Sequence, residues 1–258
     1  MDYQAITYKI TEGVAYITLN RPALMNALNT QMRLEITHAF NDAEQNARAV
    51  VMTGAGASFC SGQDLADAAA GGIIDMEATL RDEYVPMLKS IFDCKIPTIC
   101  AVNGPAAGAG ANLALAADVV IASEDAYFVQ AFTRIGLIPD AGGTYWLPRQ
   151  IGAARAMGST LFADKVSANQ ARDWGMIYET APAVEFEAHI KSRAQQLANG
   201  PTVAYEQLKK AIRGSLENTL DEQLAVEAKL QAVCGNTHDF KEGVTAFLEK
   251  RAPRYEGR

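Results

Sequence analysis

Three short runs constrain the fold of this chain more than anything else in it: AVVMTG (49–54), PTICAV (97–102) and DVVIAS (118–123), each almost wholly apolar. A strand with one wet face alternates polar and apolar residues, whereas a strand covered by helices on both faces loses that alternation. The runs therefore predict central strands of a parallel sheet, and the intervals between them leave room for crossover helices. AITYKI and VAYITL, flanking TEG, predict a β-hairpin ahead of them. Met32, Ile36, Ala39 and Phe40 recur about once per turn and predict a helix after NRPALMNALNT. From about Ser167 onward, SANQARDW, AVEFEAHIKSRAQQLA, TVAYEQLKKAIRG, TLDEQLAVEAKLQAVC and HDFKEGVTAFLEK read as amphipathic helices with few strand signals between them. The fold class is α/β, with a helical C-terminal layer.

Composition mainly excludes. At 258 residues, 49% of them hydrophobic and 21% charged, the chain reads as an ordinary globular protein. A net charge of -7 supplies no cationic field for nucleic acid or an anionic membrane. The start, MDYQAITYKI, lacks a basic segment followed by an apolar one, and no stretch approaches the roughly 20 apolar residues that span a bilayer. A cytoplasmic location with neither nucleic acid nor membrane as partner is the expectation. Cys60, Cys94, Cys100 and Cys234 form no CxxC pair and the histidines have no ligand spacing, so reduced, mostly buried thiols and no metal are expected.

Familiar motifs fail on single residues. Gly54 and Gly56, and again Gly108 and Gly110, begin a GxGxxG pattern that Phe59 and Leu113 break. No GK[ST] follows either glycine cluster, and no GxSxG surrounds Ser58, Ser61 or Ser159. Cys60 as a nucleophile would need a base, and His38, His189 and His238 all fall in predicted helices far away in sequence.

Three loop segments remain. GAGASFCSGQDL (54–65) directly follows a strand. VNGPAAGAGANLALAADVVIAS (102–123) leads from a strand into a helix whose small residues leave first-turn N–H groups accessible, which suits an anion or merely permits close packing. GLIPDAGG (136–143) sets a lone carboxylate, Asp140, at the end of an apolar run beside glycines. Leu137, Ile138 and Phe132 beside that carboxylate would raise its pKa toward a value useful for taking and returning a proton. The same residues make good turn chemistry, with Thr144 starting a helix, so a turn or capping aspartate is the alternative.

SFCSGQDL, NGPAAGAGANLALAADVVIAS and FTRIGLIPDAGGTYWLPRQIG, in this order and spacing, resemble the enoyl-CoA hydratase/isomerase (crotonase) superfamily, from the hairpin through NRPALMNAL to FLEKRAPRY. The resemblance implies a crotonase-like spiral of ββα units over residues 1–195 and a helical C-terminal trimerisation region over 196–258. It implies an acyl-CoA thioester as substrate, with coenzyme A part of that substrate and no other cofactor, and a homotrimer or a dimer of trimers. Its oxyanion-hole donors fall on the main-chain N–H groups of Gln63, just after Gly62, and of Ala109. Backbone contacts to coenzyme A fall on Ala23, Met25, Ser61, Asp64 and Leu65, with Phe132 and Pro139 near the acyl group. Lys250 and Arg251 could add charge from a neighbouring subunit, or simply end a solvated helix. Only backbone is needed at Gln63 and Ala109, so their side chains are expected to be free to vary.

The departures from the family pattern decide more. Its hydratases hold water between two glutamates, at positions matching Asn112 and Phe132, neither of which can be a carboxylate base. Asp140 stands where isomerase-type members carry their acid. GLIPDAGGTYWLPRQIGAARAMG, AAGAGANLALAADVVIA and EGVTAFLEKRAPRYEG most resemble the ring 1,2-epoxyphenylacetyl-CoA isomerase subgroup, which forms oxepin-CoA and can shift a double bond between Δ3 and Δ2. The resemblance thus implies a CoA-thioester isomerase with Asp140 as its single acid/base. An enoyl-CoA hydratase is the alternative, with Glu124 and Asp125 as nearby acids that read as a solvated turn. A relative without chemistry, binding acyl-CoA or RNA, is the alternative of another class. Acyl preference is expected to depend on side chains from 66 to 90 and around Phe132 and Trp146.

Overall fold

The computed structural model describes residues 1–66 and 75–258. The hairpin expected from the sequence is β1 (Ile6–Thr11) and β2 (Val14–Leu19), antiparallel, with Thr11 opposite Val14. Its two-residue turn places Glu12 at φ +52 and Gly13 at φ +78, the left-handed pair that matches the twist of the strands it joins.

The helix α1 (Thr30–Asn46) is capped by Asn29, whose side chain accepts the Met32 N–H at 3.0 Å. Its Met32, Ile36, Ala39 and Phe40 are all buried, as their spacing predicts. Strand β3 (Ala49–Gly54) follows. Past residue 75 the chain is helical from Met76–Thr79 through a π-helical turn, Leu80–Tyr84, into Val85–Phe92, here taken together as α2. Then come β4 (Thr98–Val102), β5 (Ala106–Ala107), α3 (Ala109–Leu115), β6 (Val119–Ser123) and β7 (Tyr127–Val129). A 3₁₀ turn (Ala131–Ile135) leads to α4 (Gly143–Phe162), β8 (Val166–Ser167), α5 (Ala168–Trp174), β9 (Glu179–Ala181) and α6 (Phe186–Ala198). Three more helices, α7 (Thr202–Gly214), α8 (Leu220–Gly235) and α9 (His238–Glu249), complete the chain.

The main sheet runs β1-β2-β3-β4-β6-β9, parallel from β2 onward. All three apolar runs are its central strands, and their side chains alternate between two cores. Val50, Met52, Cys100, Val102, Val120 and Ala122 face one core with α1; Val51, Ile99, Ala101 and Ile121 face another, closed by Phe186, Ile190, Ala194 and Ala198 of α6. Each fully buried aliphatic side chain of this kind is worth roughly 1.5–3 kcal/mol. Helices on both faces are the cause of the missing alternation in the sequence.

The small sheet β5-β7-β8 was not legible, nor was β9, since two- and three-residue strands carry no period. The helix expected within 102–123 spans only Ala109–Leu115, because Ala106–Ala107 pair with Phe128–Val129 instead. A division of the chain after residue 195 falls inside α6, whose Ala198 still belongs to the second core.

Candidate active site

Two of the three loop segments are joined backbone to backbone. Cys60 bridges Ala106, the Ala107 N–H donates to the Cys60 carbonyl at 2.9 Å, and the Phe59 and Cys60 N–H groups both reach the Pro105 carbonyl. Gly62 makes the closest approach. At φ +96 it adopts a conformation that side chains resist, and a Cβ there would lie 2.9 Å from the Ala107 carbonyl oxygen and 3.3 Å from the Ala109 nitrogen. The residue after Gly62 is Gln63 and the first residue of α3 is Ala109, so the two expected donors are brought to one place. Among the described residues neither main-chain N–H donates to a backbone acceptor outside its own element, and Ala109, at the first helical position, has none within its helix.

The third segment is tied to the same helix. Asn112, buried one turn beyond Ala109, donates from Nδ2 to the Asp140 carbonyl at 2.8 Å, and its Oδ1 accepts from Gln130 Nε2 at 2.9 Å. The Gly143 N–H also donates to the Asp140 carbonyl, at 2.8 Å. Gly143 allows this closeness, since a Cβ there would lie 2.4 Å from Asn112 Nδ2.

The Asp140 carboxylate itself is left over. It does not cap α4, whose N-cap is Gly142 with no side-chain hydrogen bond. Its Oδ1 is buried and has no hydrogen-bond partner among the described residues. Burial raises its pKa from the ordinary 3.8 to about 6, outweighing the lowering by its own N–H. The cover differs from the sequence expectation. Ile138 is 77% exposed and Leu137 36%, so the main chain turns both outward. Phe132 is buried against Gly108, and Tyr84 lies close enough for the Asp140 charge to help push its phenol up, after burial.

The remaining expected contacts form a rim. Met25, left-handed at φ +49 after the turn holding Ala23, accepts the Ser61 N–H at 3.0 Å on its carbonyl, so 22–25 and 61 lie together. Leu65 is exposed and Pro139 half-buried. The Asp64 N–H donates to the Leu28 carbonyl at 3.0 Å, and its carboxylate pairs with Arg21 at 2.8 Å. Lys250 stands apart: it is exposed at the left-handed C-cap of α9, which packs chiefly on α8, while Arg251 bridges Glu242 and Glu249. Glu124 and Asp125 are exposed in the turn between β6 and β7. Cys60 is fully buried with its thiol pushed up to about 12, unsuited to a nucleophile. Of the span 66–90 read as setting acyl preference, 67–74 lie outside the described residues. Sequence reasoning missed Arg33 and Tyr84, both buried beside Gln63.

A family model described as enoyl-CoA hydratase/isomerase matches residues 9–258. A Rhodobacter capsulatus protein named a probable enoyl-CoA hydratase is 58% identical over 258 residues, covering 100% of each chain. A 1,2-epoxyphenylacetyl-CoA isomerase of Escherichia coli is 42% identical over 254 residues, covering 96% of this chain and 97% of that protein. The crystal structure of an enoyl-CoA hydratase from Polaromonas matches with a TM-score of 0.93 at 33% identity, covering 98% of this chain and 100% of that one. With a family model matched over residues 9–258 and a fold shared end to end, the chain belongs to the enoyl-CoA hydratase/isomerase family.

Proposed function

We propose that this protein is a CoA-thioester isomerase in which Asp140 is the single acid and base, and the Gln63 and Ala109 N–H groups receive the thioester oxygen. One observation carries the reading: a buried carboxylate oxygen without a partner among the described residues, on a segment tethered to the helix that begins with Ala109. A thioester α-proton is too weakly acidic for a carboxylate unless the enolate oxygen is stabilised, and one preorganised donor is worth about 3 to 4 kcal/mol of barrier. A 3-enoyl thioester then needs nothing more. Asp140 takes a proton from C2, the electron pair delocalises onto the thioester oxygen, and the same carboxyl returns the proton at C4, leaving the double bond between C2 and C3. A base with a pKa near 6 can do both at neutral pH.

The 42% identity to a 1,2-epoxyphenylacetyl-CoA isomerase supports the corresponding ring epoxide, converted to oxepin-CoA, as a second substrate of this site. The 58% relative's name favours hydration instead. Against that, Asn112 is committed to Gln130 and the Asp140 carbonyl, and Phe132 is apolar, so neither activates water. Exposed leucines, isoleucine and phenylalanine on α7–α9 support a homotrimer or a dimer of trimers. Incubation with trans-3-hexenoyl-CoA tests the reading: the absorbance of the conjugated 2-enoyl thioester should appear. Formation of a 3-hydroxyacyl-CoA from the 2-enoyl ester instead, or no reaction at all, would refute it in favour of a hydratase or an inert binder.

A further inference from the structure

Beyond the base and the two donors, buried groups converge on the side chain of Gln63. Its Oε1 accepts from the Tyr84 hydroxyl at 2.5 Å and from Arg33 Nη1 at 3.0 Å, and both donor residues are only 2% exposed. Arg33 Nη1 also donates to the Leu28 carbonyl at 2.7 Å. Leu28 in turn brackets Gln63, donating its N–H to the Gly62 carbonyl at 2.8 Å and accepting the Asp64 N–H at 3.0 Å. The guanidinium is completed by Thr30 Oγ1 at 3.1 Å and by Glu83 at 2.9 and 2.5 Å, and sits 4.9 Å over the Tyr84 ring. Glu83 and Tyr84 are neighbours on the π-helical turn of α2, a distortion that recurs at functional sites.

A main-chain donor asks nothing of its own side chain, so the oxyanion chemistry alone leaves this network without a purpose. Burying a guanidinium is costly, and a fully satisfied polar network of this kind fixes one geometry. The geometry fixed here is that of the peptide carrying the Gln63 N–H, gripped at the residues before and after it by Leu28 and through its side chain by Arg33 and Tyr84. We propose that Arg33 and Tyr84 are positioning residues, acting through the Gln63 side chain to hold its N–H on the thioester oxygen. The inference rests on the oxyanion reading given above, and it means that Gln63 is not free to vary.

Gln63→Leu and Tyr84→Phe test it, since each keeps volume while removing the shared acceptor or one donor. Hexanoyl-CoA labelled with carbon-13 at the thioester carbonyl reports donor placement directly, because the carbonyl stretch falls when the oxygen is gripped. Wild type and Asp140→Asn should show the same lowered frequency, which separates the donors from the base. In Gln63→Leu and Tyr84→Phe the lowering should shrink. With 3-hexenoyl-CoA their kcat should fall roughly tenfold to a hundredfold while KM stays within about threefold, as for a misplaced transition-state donor. An unmoved carbonyl frequency in both variants overturns the proposal, whether or not kcat falls, and leaves the role of Asp140 standing. A wild-type protein that does not shift the carbonyl removes the oxyanion reading and the proposal with it.

Discussion

At the scale of one residue, Asp140 is at odds with its own fold at neutral pH. Its folded pKa, about 6, lies above the ordinary 3.8 that it regains on unfolding. Between those values the unfolded chain has lost the proton while the folded chain keeps it, so stability drains away as pH rises through that window. Asp140→Asn should therefore raise Tm at pH 7.5 and lose that advantage near pH 4, read by thermal denaturation at both. The same variant should lose turnover by at least about a hundredfold, the usual contribution of a positioned base. Its calorimetric affinity for a saturated acyl-CoA should stay nearly unchanged. In the wild type, kcat/KM for 3-hexenoyl-CoA should fall on the acid side with a midpoint near 6, because only the ionised carboxylate can take the proton. Retained turnover in Asp140→Asn would remove the proposed chemistry.

At the scale of elements, the site depends on how α3 is tied to the turn at 139–143. Asn112→Leu keeps the volume, strands one buried group, Gln130 Nε2, and leaves the Asp140 carbonyl with the Gly143 N–H alone. A loss of about 1 to 3 kcal/mol in urea denaturation is expected, the usual cost of one orphaned buried group. The kcat acid limb should move as well, because the carboxylate is released from its burial; a purely structural asparagine would leave that limb in place. The central strands were legible because an apolar run without alternation has one cheap explanation, cover on both faces. Asp140 stood out as a candidate because a lone acid among apolar residues and glycines is conspicuous, though Leu137 and Ile138 are not what buries it. Arg33 was not: in TQMRLEITHAF it falls among polar residues of an amphipathic helix, and its ion-pair partner Glu83 is 50 residues away. Glu35 hides likewise. It is buried, and three main-chain N–H groups of residues 4–6, with Gln31, hold its carboxyl below the usual range despite burial.

At the scale of the whole molecule, a broad apolar groove lies away from Asp140. It occupies 1330 Å³ between α7, α8 and α9 and is lined by Leu208, Ile212, Leu224, Val244, Phe247 and Leu248, among others. Apolar surface on this scale is rarely left to water, and the proposed homo-oligomer would cover it. Replacing Phe247, 82% exposed, and Leu248, 74% exposed, by glutamate should shift the mass measured by light scattering toward that of one chain, with helix content unchanged. An unchanged mass would place the subunit contact elsewhere. The rim of the site adds a different consequence. Arg21, the sole cation of NRPALMNAL, is closed on the Asp64 carboxylate at 2.8 Å and the Ala27 carbonyl at 2.6 Å, so that loop has no free charge to offer a diphosphate. On the proposed reading, charge in this loop adds nothing to the hold on coenzyme A, so a bare pantetheine ester should keep its kcat and differ from the coenzyme A ester only in KM.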